Sequence, residues 1–146
     1  MKANVKEFMT GSPISIEPEM SALAALDLMI DHAIQHLPVV DSERRVSGIV
    51  SFHDLRAALP TPVSLVSPPS AEARQQALDV TVSEAMTPAP ATIRADASLD
   101  QAVARMIEGR FGCLPIVDDD GRLDGILTQT DLLQALAPVL WSTEKA

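Results

Sequence analysis

Gly48-Ile49-Val50-Ser51-Phe52-His53-Asp54 returns 77 residues later as Gly125-Ile126-Leu127-Thr128-Gln129-Thr130-Asp131. The same gapless shift lays Val5 to Ile16 (VKEFMTGSPISI) over Val82 to Ile93 (VSEAMTPAPATI), and His36 to Asp41 (HLPVVD) over Cys113 to Asp118 (CLPIVD). About 21 of roughly 55 paired positions are identical, so the chain is read as one structural unit duplicated. The copies are placed at residues 1–59 and 82–136, with a linker at 60–81 and a tail at 137–146.

Each copy spells the same element order. An extended segment (Pro13 to Ile16, Pro90 to Ile93) leads into an apolar stripe at helical spacing: Ala22, Ala25, Leu26, Met29 and Ile30, repeated as Leu99, Ala102, Val103, Met106 and Ile107. Ser21 and Ser98 precede the stripes as N-caps, and Gln101 has capping-box spacing from Ser98. Short β-branched runs at 37–40 and 114–117 predict strands, and the polar turns DSERR and DDDGR, the second with Gly121 for a positive φ, lead into second strands at 46–50 and 123–127. Closing helices start at Ser51 and Thr128, giving β-α-β-β-α twice. Pro38 and Pro115 at the strand starts suggest exposed edges. The fold class is therefore α+β, with the two copies expected to pack sheet to sheet about a pseudo-twofold axis.

Between the copies, Pro60, Pro62, Pro68 and Pro69 interrupt regular structure, while Ser70 to Leu78 has the composition of a short capped helix. Leu140 and Trp141 of the tail are expected to pack on the body or on a partner before the chain frays.

Composition limits the function classes. At 146 residues the chain can bury a sizeable core, and its single cysteine, Cys113, cannot form an internal disulfide. A reducing cytoplasm fits that usage. A formal charge of -9 disfavours broad contact with nucleic acid or anionic lipid, which are bound chiefly through Lys and Arg. The N-terminus lacks the apolar run of a signal peptide, and no stretch of about 18 apolar residues is present to span a bilayer. No nucleophile-base-orienter set, Walker glycine loop or metal-ligand cluster is evident, which argues against an enzyme.

The duplicated motif carries the chemistry. A strand ends in a hydroxyl residue and turns into a helix with a carboxylate three residues on. One explanation is structural: Ser51 or Thr128 caps the helix, and Asp54 or Asp131 favours the positive end of the dipole. The other is a nucleotide site, since a helix N-terminus offers free N–H groups to a phosphate and a carboxylate one turn on suits the hydroxyls of a ribose.

The repeated MT…P…I, LPVVD/LPIVD and G-h-h-[S/T]-x-x-D patterns together resemble tandem CBS (cystathionine-beta-synthase) domains, a pairing called a Bateman module. The resemblance covers residues 5–59 and 82–136. It implies a regulatory module that binds AMP, ADP, ATP or S-adenosylmethionine as a ligand, with no required cofactor, in clefts between the copies. Carried over by position, it groups Ile126, Thr128, Thr130 and Asp131 with Ile14, Ile34 and Gln35. It also groups Ile49, Ser51, His53 and Asp54 with Ala91, Phe111 and Gly112. A homodimer and an unidentified effector protein are the implied partners. The alternative is a structural dimerisation module that binds nothing small. CBS pairs also occur inside inosine-monophosphate dehydrogenases, but this chain has nothing that corresponds to that enzyme's catalytic barrel.

Other candidates read as structure. His32 and His36 have helical metal spacing, but a strand begins near His36; Asp118-Asp119-Asp120 lies in a turn; Cys113 reads as a packing thiol. Arg44, Arg45, Arg94, Arg105 and Arg110 are dispersed cations in reach of a polyphosphate or of solvent.

Overall fold

The computed structural model describes residues 3–59 and 70–144, so the linker prolines named above lie outside the described residues. The elements run β1 (Thr10–Gly11), α1 (Ala22–His32), β2 (His36–Val40), β3 (Val46–Ser51), α2 (Phe52–Ala58), α3 (Ala71–Asp79), α4 (Val82–Ala85), β4 (Thr87–Pro88), β5 (Ile93–Arg94), α5 (Leu99–Gly109), β6 (Cys113–Val117), β7 (Leu123–Thr128) and α6 (Gln129–Glu144). A single 3-10 turn, Val5–Glu7, precedes them. This is a mixed α+β chain with one four-stranded sheet, β1-β7-β6-β5, and one three-stranded sheet, β2-β3-β4.

Two compact units result, and they do not follow the sequence copies. The middle unit is Ile14–Pro90; the terminal unit joins the first 13 residues to those from Ala91 onward. The segment that opens each copy is thus built into the unit formed by the rest of the other. β4 of the second copy pairs with β3 of the first through Ile49↔Thr87, and β1 of the first copy pairs with β7 through Thr10↔Ile126. Val82 is fully buried in the middle core with Met29, Leu37, Val39, Val50 and Leu55. Val5 is fully buried in the terminal core with Ile93, Ala102, Met106, Leu114, Ile116 and Leu127. Burying a valine side chain contributes about 1.5–3 kcal/mol, which is enough to anchor so short a segment.

The helix starts are as predicted. Ser21 Oγ accepts from Ala24 N at 3.1 Å, and Ser98 Oγ from Gln101 N at 3.2 Å. Only the serine arm forms at Ser98, without a return bond from the Gln101 side chain. The apolar stripes are narrower than expected: Ala22, Ala25 and Met29 are buried, as are Ala102 and Met106, but the equivalent Ile30 and Ile107 are 57% and 71% exposed. Each stripe turns away from its sheet before its last residue.

Both hairpins share a register and an irregularity, between Val39 and Val40 and between Ile116 and Val117. Their turns are held alike. Asp41 Oδ1 accepts from Glu43 N and Arg45 N, and Asp118 Oδ1 from Asp120 N and Arg122 N, each at 2.9 Å. Gly121 takes φ +80°, and Arg44 occupies the matching left-handed position at φ 65°.

Pro38 and Pro115 do not mark exposed edges, for both side chains are fully buried. Ile16 N donates to the Pro38 carbonyl at 3.1 Å and Val40 N donates to the Ile16 carbonyl at 2.8 Å. The proline nitrogen therefore faces the side of β2 away from β3, one step before that short parallel ladder begins. A missing N–H there removes no ladder bond. Pro115 stands at the equivalent place on β6, a strand flanked by both β5 and β7.

The sequence-predicted helix after the linker forms as α3, with Ser70 Oγ accepting from Ala73 N at 3.1 Å. Its Ala77 and the end of α2 share one core, which leaves Leu59 only 7% exposed. The equivalent Leu136 is 53% exposed. Rather than a separate tail, residues 137–144 continue α6 through Pro138. Leu140 and Trp141, expected to pack, are 64% and 65% exposed.

Candidate functional site

The two hydroxyl-to-carboxylate motifs fold into two capped helix starts. In the middle unit, Asp54 N donates to Ser51 Oγ at 3.0 Å and Ser51 N donates to Asp54 Oδ2 at 3.0 Å. In the terminal unit, Thr128 N donates to Asp131 Oδ2 at 2.8 Å, the Thr128 hydroxyl donates to the same oxygen at 3.1 Å, and Asp131 N donates to Thr128 Oγ1 at 3.3 Å. The structural explanation of the motif is therefore real. It does not use the whole carboxylate: these bonds engage Oδ2, and Oδ1 of either aspartate accepts none among the described residues. Both aspartates are half-buried, so a ligand can reach them without unfolding the helix start.

Within each unit a second strand delivers residues to the helix start. Phe52 N donates to the Gln35 carbonyl at 2.8 Å, and His36 lies opposite Ser51 in the ladder, so Ile34 and Gln35 adjoin Ser51. Gln129 N donates to the Gly112 carbonyl at 3.2 Å, and Cys113 lies opposite Thr128, so Phe111 and Gly112 adjoin Thr128. Ile126 is buried and Ile49 half-buried on the strands that precede the helices; His53 and Thr130 are exposed one turn in. Ile14 is 37% exposed at the start of the middle unit, and Ala91 is half-buried at the equivalent place in the terminal unit. The helices differ in length. α2 has seven residues and α6 sixteen, so the dipole of α6 is the longer.

His36 differs electrostatically from its counterpart Cys113. Burial pushes the imidazole below its ordinary value, and the nearby Asp54 carboxylate partly opposes that. Cys113 is a buried thiol. At the far turn, backbone donation from Arg122, with weaker help from Asp120 N–H and nearby arginines, holds the Asp118 carboxyl below the usual range.

Sequence reasoning missed what makes the motif glycine necessary. A Cβ on Gly125 would stand 2.8 Å from both Met9 Sδ and the Thr10 carbonyl oxygen; on Gly48 it would meet Met86 in the same way. The methionine of each MT segment lies on the glycine of the other copy's strand, and only the pairing of those two motifs between the copies would have signalled it. A pocket of about 620 Å³ between α5 and β5 was also missed; none of the residues grouped at the two helix starts lines it, but Arg94 and Arg105 of the dispersed cations do. Its cations are engaged: Arg94 pairs with Asp119, and Arg105 donates to the Thr92 carbonyl.

The comparisons agree with this duplicated geometry. The family described as CBS domain matches residues 5–61 and 82–138. A CBS domain-containing protein of Dictyostelium discoideum is 35% identical over 141 residues, covering 96% of this chain and 95% of that protein. The solved structure of CBSX2 in complex with AMP is 30% identical with a TM-score of 0.78, covering 94% of this chain and 98% of that one. The CBS domain pair of protein MJ0100, in complex with 5'-methylthioadenosine and S-adenosyl-L-methionine, is 27% identical with a TM-score of 0.78 and the same coverage. Enzymes match over a small part of their length, as in inosine-5'-monophosphate dehydrogenase of Aquifex aeolicus, where 84% of this chain covers 22% of that protein.

Proposed function

The chain belongs to the CBS domain family, and on that premise we propose that it is a non-catalytic regulatory module whose ligand is an adenosine-containing nucleotide: AMP, ADP, ATP or S-adenosylmethionine. The observation that carries this is the α6 start. Asp131 holds its own helix with one oxygen and keeps the other for a ligand, beside the hydroxyls of Thr128 and Thr130. A carboxylate accepting from a ribose hydroxyl makes a charge-assisted bond of about 1.5–3 kcal/mol. Relatives solved with AMP and with S-adenosylmethionine support the same ligand class. Binding that favours one state of the module shifts the equilibrium of an effector protein.

The site residues we assign are those selected from the sequence, led by Thr128, Thr130 and Asp131, with Ser51, His53 and Asp54 as the second set. Isothermal calorimetry with the four ligands tests the assignment. Asp131→Ala is expected to weaken the best ligand at least about tenfold, with the protein still folded by circular dichroism. Unchanged affinity removes the α6 start from the site.

A second reading, self-association without a small ligand, is favoured by the exposed Ile30, Ile107, Leu133 and Leu140. Thermal melts separate the two. A ligand that binds only the folded state adds about 2.7 kcal/mol at a hundredfold excess over its dissociation constant, and no shift with any of the four nucleotides would leave the dimerisation reading. Among the described residues no helix is long and apolar enough to cross a membrane.

A further inference from the structure

The pocket of about 620 Å³ between β5 and α5 lies wholly in the terminal unit, and its size falls in the range of about 300–1,000 Å³ that small-molecule sites occupy. Its floor is apolar: Ile93 and Val117 are buried and Ala97 is half-buried. Its rim is charged and exposed, with Arg94 on β5, Asp96 just beyond, and Arg105 and Glu108 about one turn apart on α5.

The edge of the sheet borders this pocket. β5 is the last of its four strands, and in the matching ladder of the first copy Ile16 turns both its N–H and its carbonyl toward β2. The same pattern at Ile93 leaves the Thr92 carbonyl and the Arg94 N–H on the side away from β6. Arg105 reaches that Thr92 carbonyl with one N–H, so its guanidinium stands at the edge that Arg94 occupies. Arg94 pairs with Asp119, but both side chains are exposed and such a bridge is weak and readily shared. A guanidinium carries five N–H donors, so both arginines keep donors for a ligand. The side chains of Gln101 and Glu108 enter no hydrogen bond or salt bridge among the described residues.

The duplication supplies a control. At the matching positions the first copy has Glu17 for Arg94, Leu28 for Arg105 and Ala24 for Gln101, while Glu19 and Asp31 keep the charges of Asp96 and Glu108. Leu28 packs against the middle core. The acids therefore belong to both copies and the two cations to the second alone, so the unit folds without either arginine.

We propose that this pocket binds a free aliphatic amino acid, such as leucine. Arg94 and Arg105 hold its carboxylate, Glu108 accepts from its ammonium, and its side chain covers Ile93, Ala97 and Val117. Charge selects the class. A dianionic phosphate would meet Asp96, Glu108 and Asp119 set against two arginines, in a chain of net charge -9, whereas a zwitterion adds no net charge and matches both signs.

Heteronuclear NMR of the whole chain, titrated with L-leucine at millimolar concentration, tests the proposal. Amide shifts are expected within residues 92–97 and 101–108, with Thr128 to Asp131 unmoved. The analogues 4-methylpentanoate, which lacks the ammonium, and 3-methylbutylamine, which lacks the carboxylate, are each expected to bind at least about tenfold more weakly. Arg105→Leu, which copies the first repeat, and Glu108→Gln are each expected to weaken leucine by about the same factor. Glu108→Gln, at an exposed side chain, carries the test should the arginine variant fail to fold. Absence of shifts, shifts confined to other residues, equal binding of either analogue, or full leucine affinity in a folded variant overturns the proposal. The nucleotide reading concerns other residues and stands or falls separately.

Discussion

Met9 Sδ lies against the face of Gly125 where a side chain would begin, 2.8 Å from the position of a Cβ, with the Thr10 carbonyl oxygen at the same distance. The methionine can move; the carbonyl belongs to β1 and cannot without loosening Thr10↔Ile126. Gly125→Ala is therefore expected to lower stability by about 1–3 kcal/mol, measured by denaturant unfolding. Gly121→Ala serves as a contrast, since nothing lies within 4 Å of its Cβ and its cost comes from φ +80° alone. A Gly125→Ala protein as stable as wild type would mean that β1 docks more loosely than its contacts imply.

Val5 and Val82 are anchors of short segments in cores made mostly by the other copy. Val5→Ala and Val82→Ala are each expected to cost about 1–3 kcal/mol, while Lys6→Ala at the exposed neighbouring position stays within about 0.5 kcal/mol. Hydrogen exchange locates the loss. Val5→Ala should raise exchange in β6 and β7, and Val82→Ala in β2 and β3; the reverse assignment would contradict the observed division of the cores.

Burial lowers the pKa of His36, so the folded chain resists protonation that the unfolded chain accepts near 6.5. The unfolded state then holds more protons in the window below about 6.5, and stability is lost as pH falls through it toward the lowered folded value. The nearby Asp54 carboxylate moderates the loss. The melting temperature is expected to fall between pH 7 and pH 5.5, and to fall less in His36→Cys, which copies the residue of the second repeat. Parallel pH profiles for the two proteins would show that His36 is not responsible.

Ile30 and Ile107 occupy equivalent places on α1 and α5 and are both exposed, against the burial that their helical spacing predicts. If self-association uses these faces, Ile30→Asp with Ile107→Asp is expected to give a monomer by sedimentation with an unchanged fold. A doubly substituted chain that sediments like wild type would move the interface elsewhere.

Much of the fold was legible because it is written twice. The repeat fixed the hairpins and helices, and Ser21, Ser98, Ser70, Ser51 and Thr128 marked helix starts that the structure confirms. What stayed hidden depends on contacts between parts of the chain that lie far apart in sequence. Periodicity assigns Ile30 and Ile107 to a buried face without knowing how wide the facing sheet is. The prolines on β2 and β6 look like edge markers until the start of the parallel ladder is located. Leu59 and Leu136 look identical in sequence, and only the packing of Leu59 into the middle core makes one buried and the other exposed. At the site, the residue types were readable, but the division of each aspartate between cap and free oxygen required coordinates.

The division into a middle unit and a terminal unit also sets an order of events during synthesis. A chain emerging from the ribosome can complete residues 14–90 while the remainder is still being made. Its first 13 residues must wait, with Val5 exposed, until β6 and β7 arrive some hundred residues later. Residues 1–13 are thus expected to dock only after the middle unit has formed.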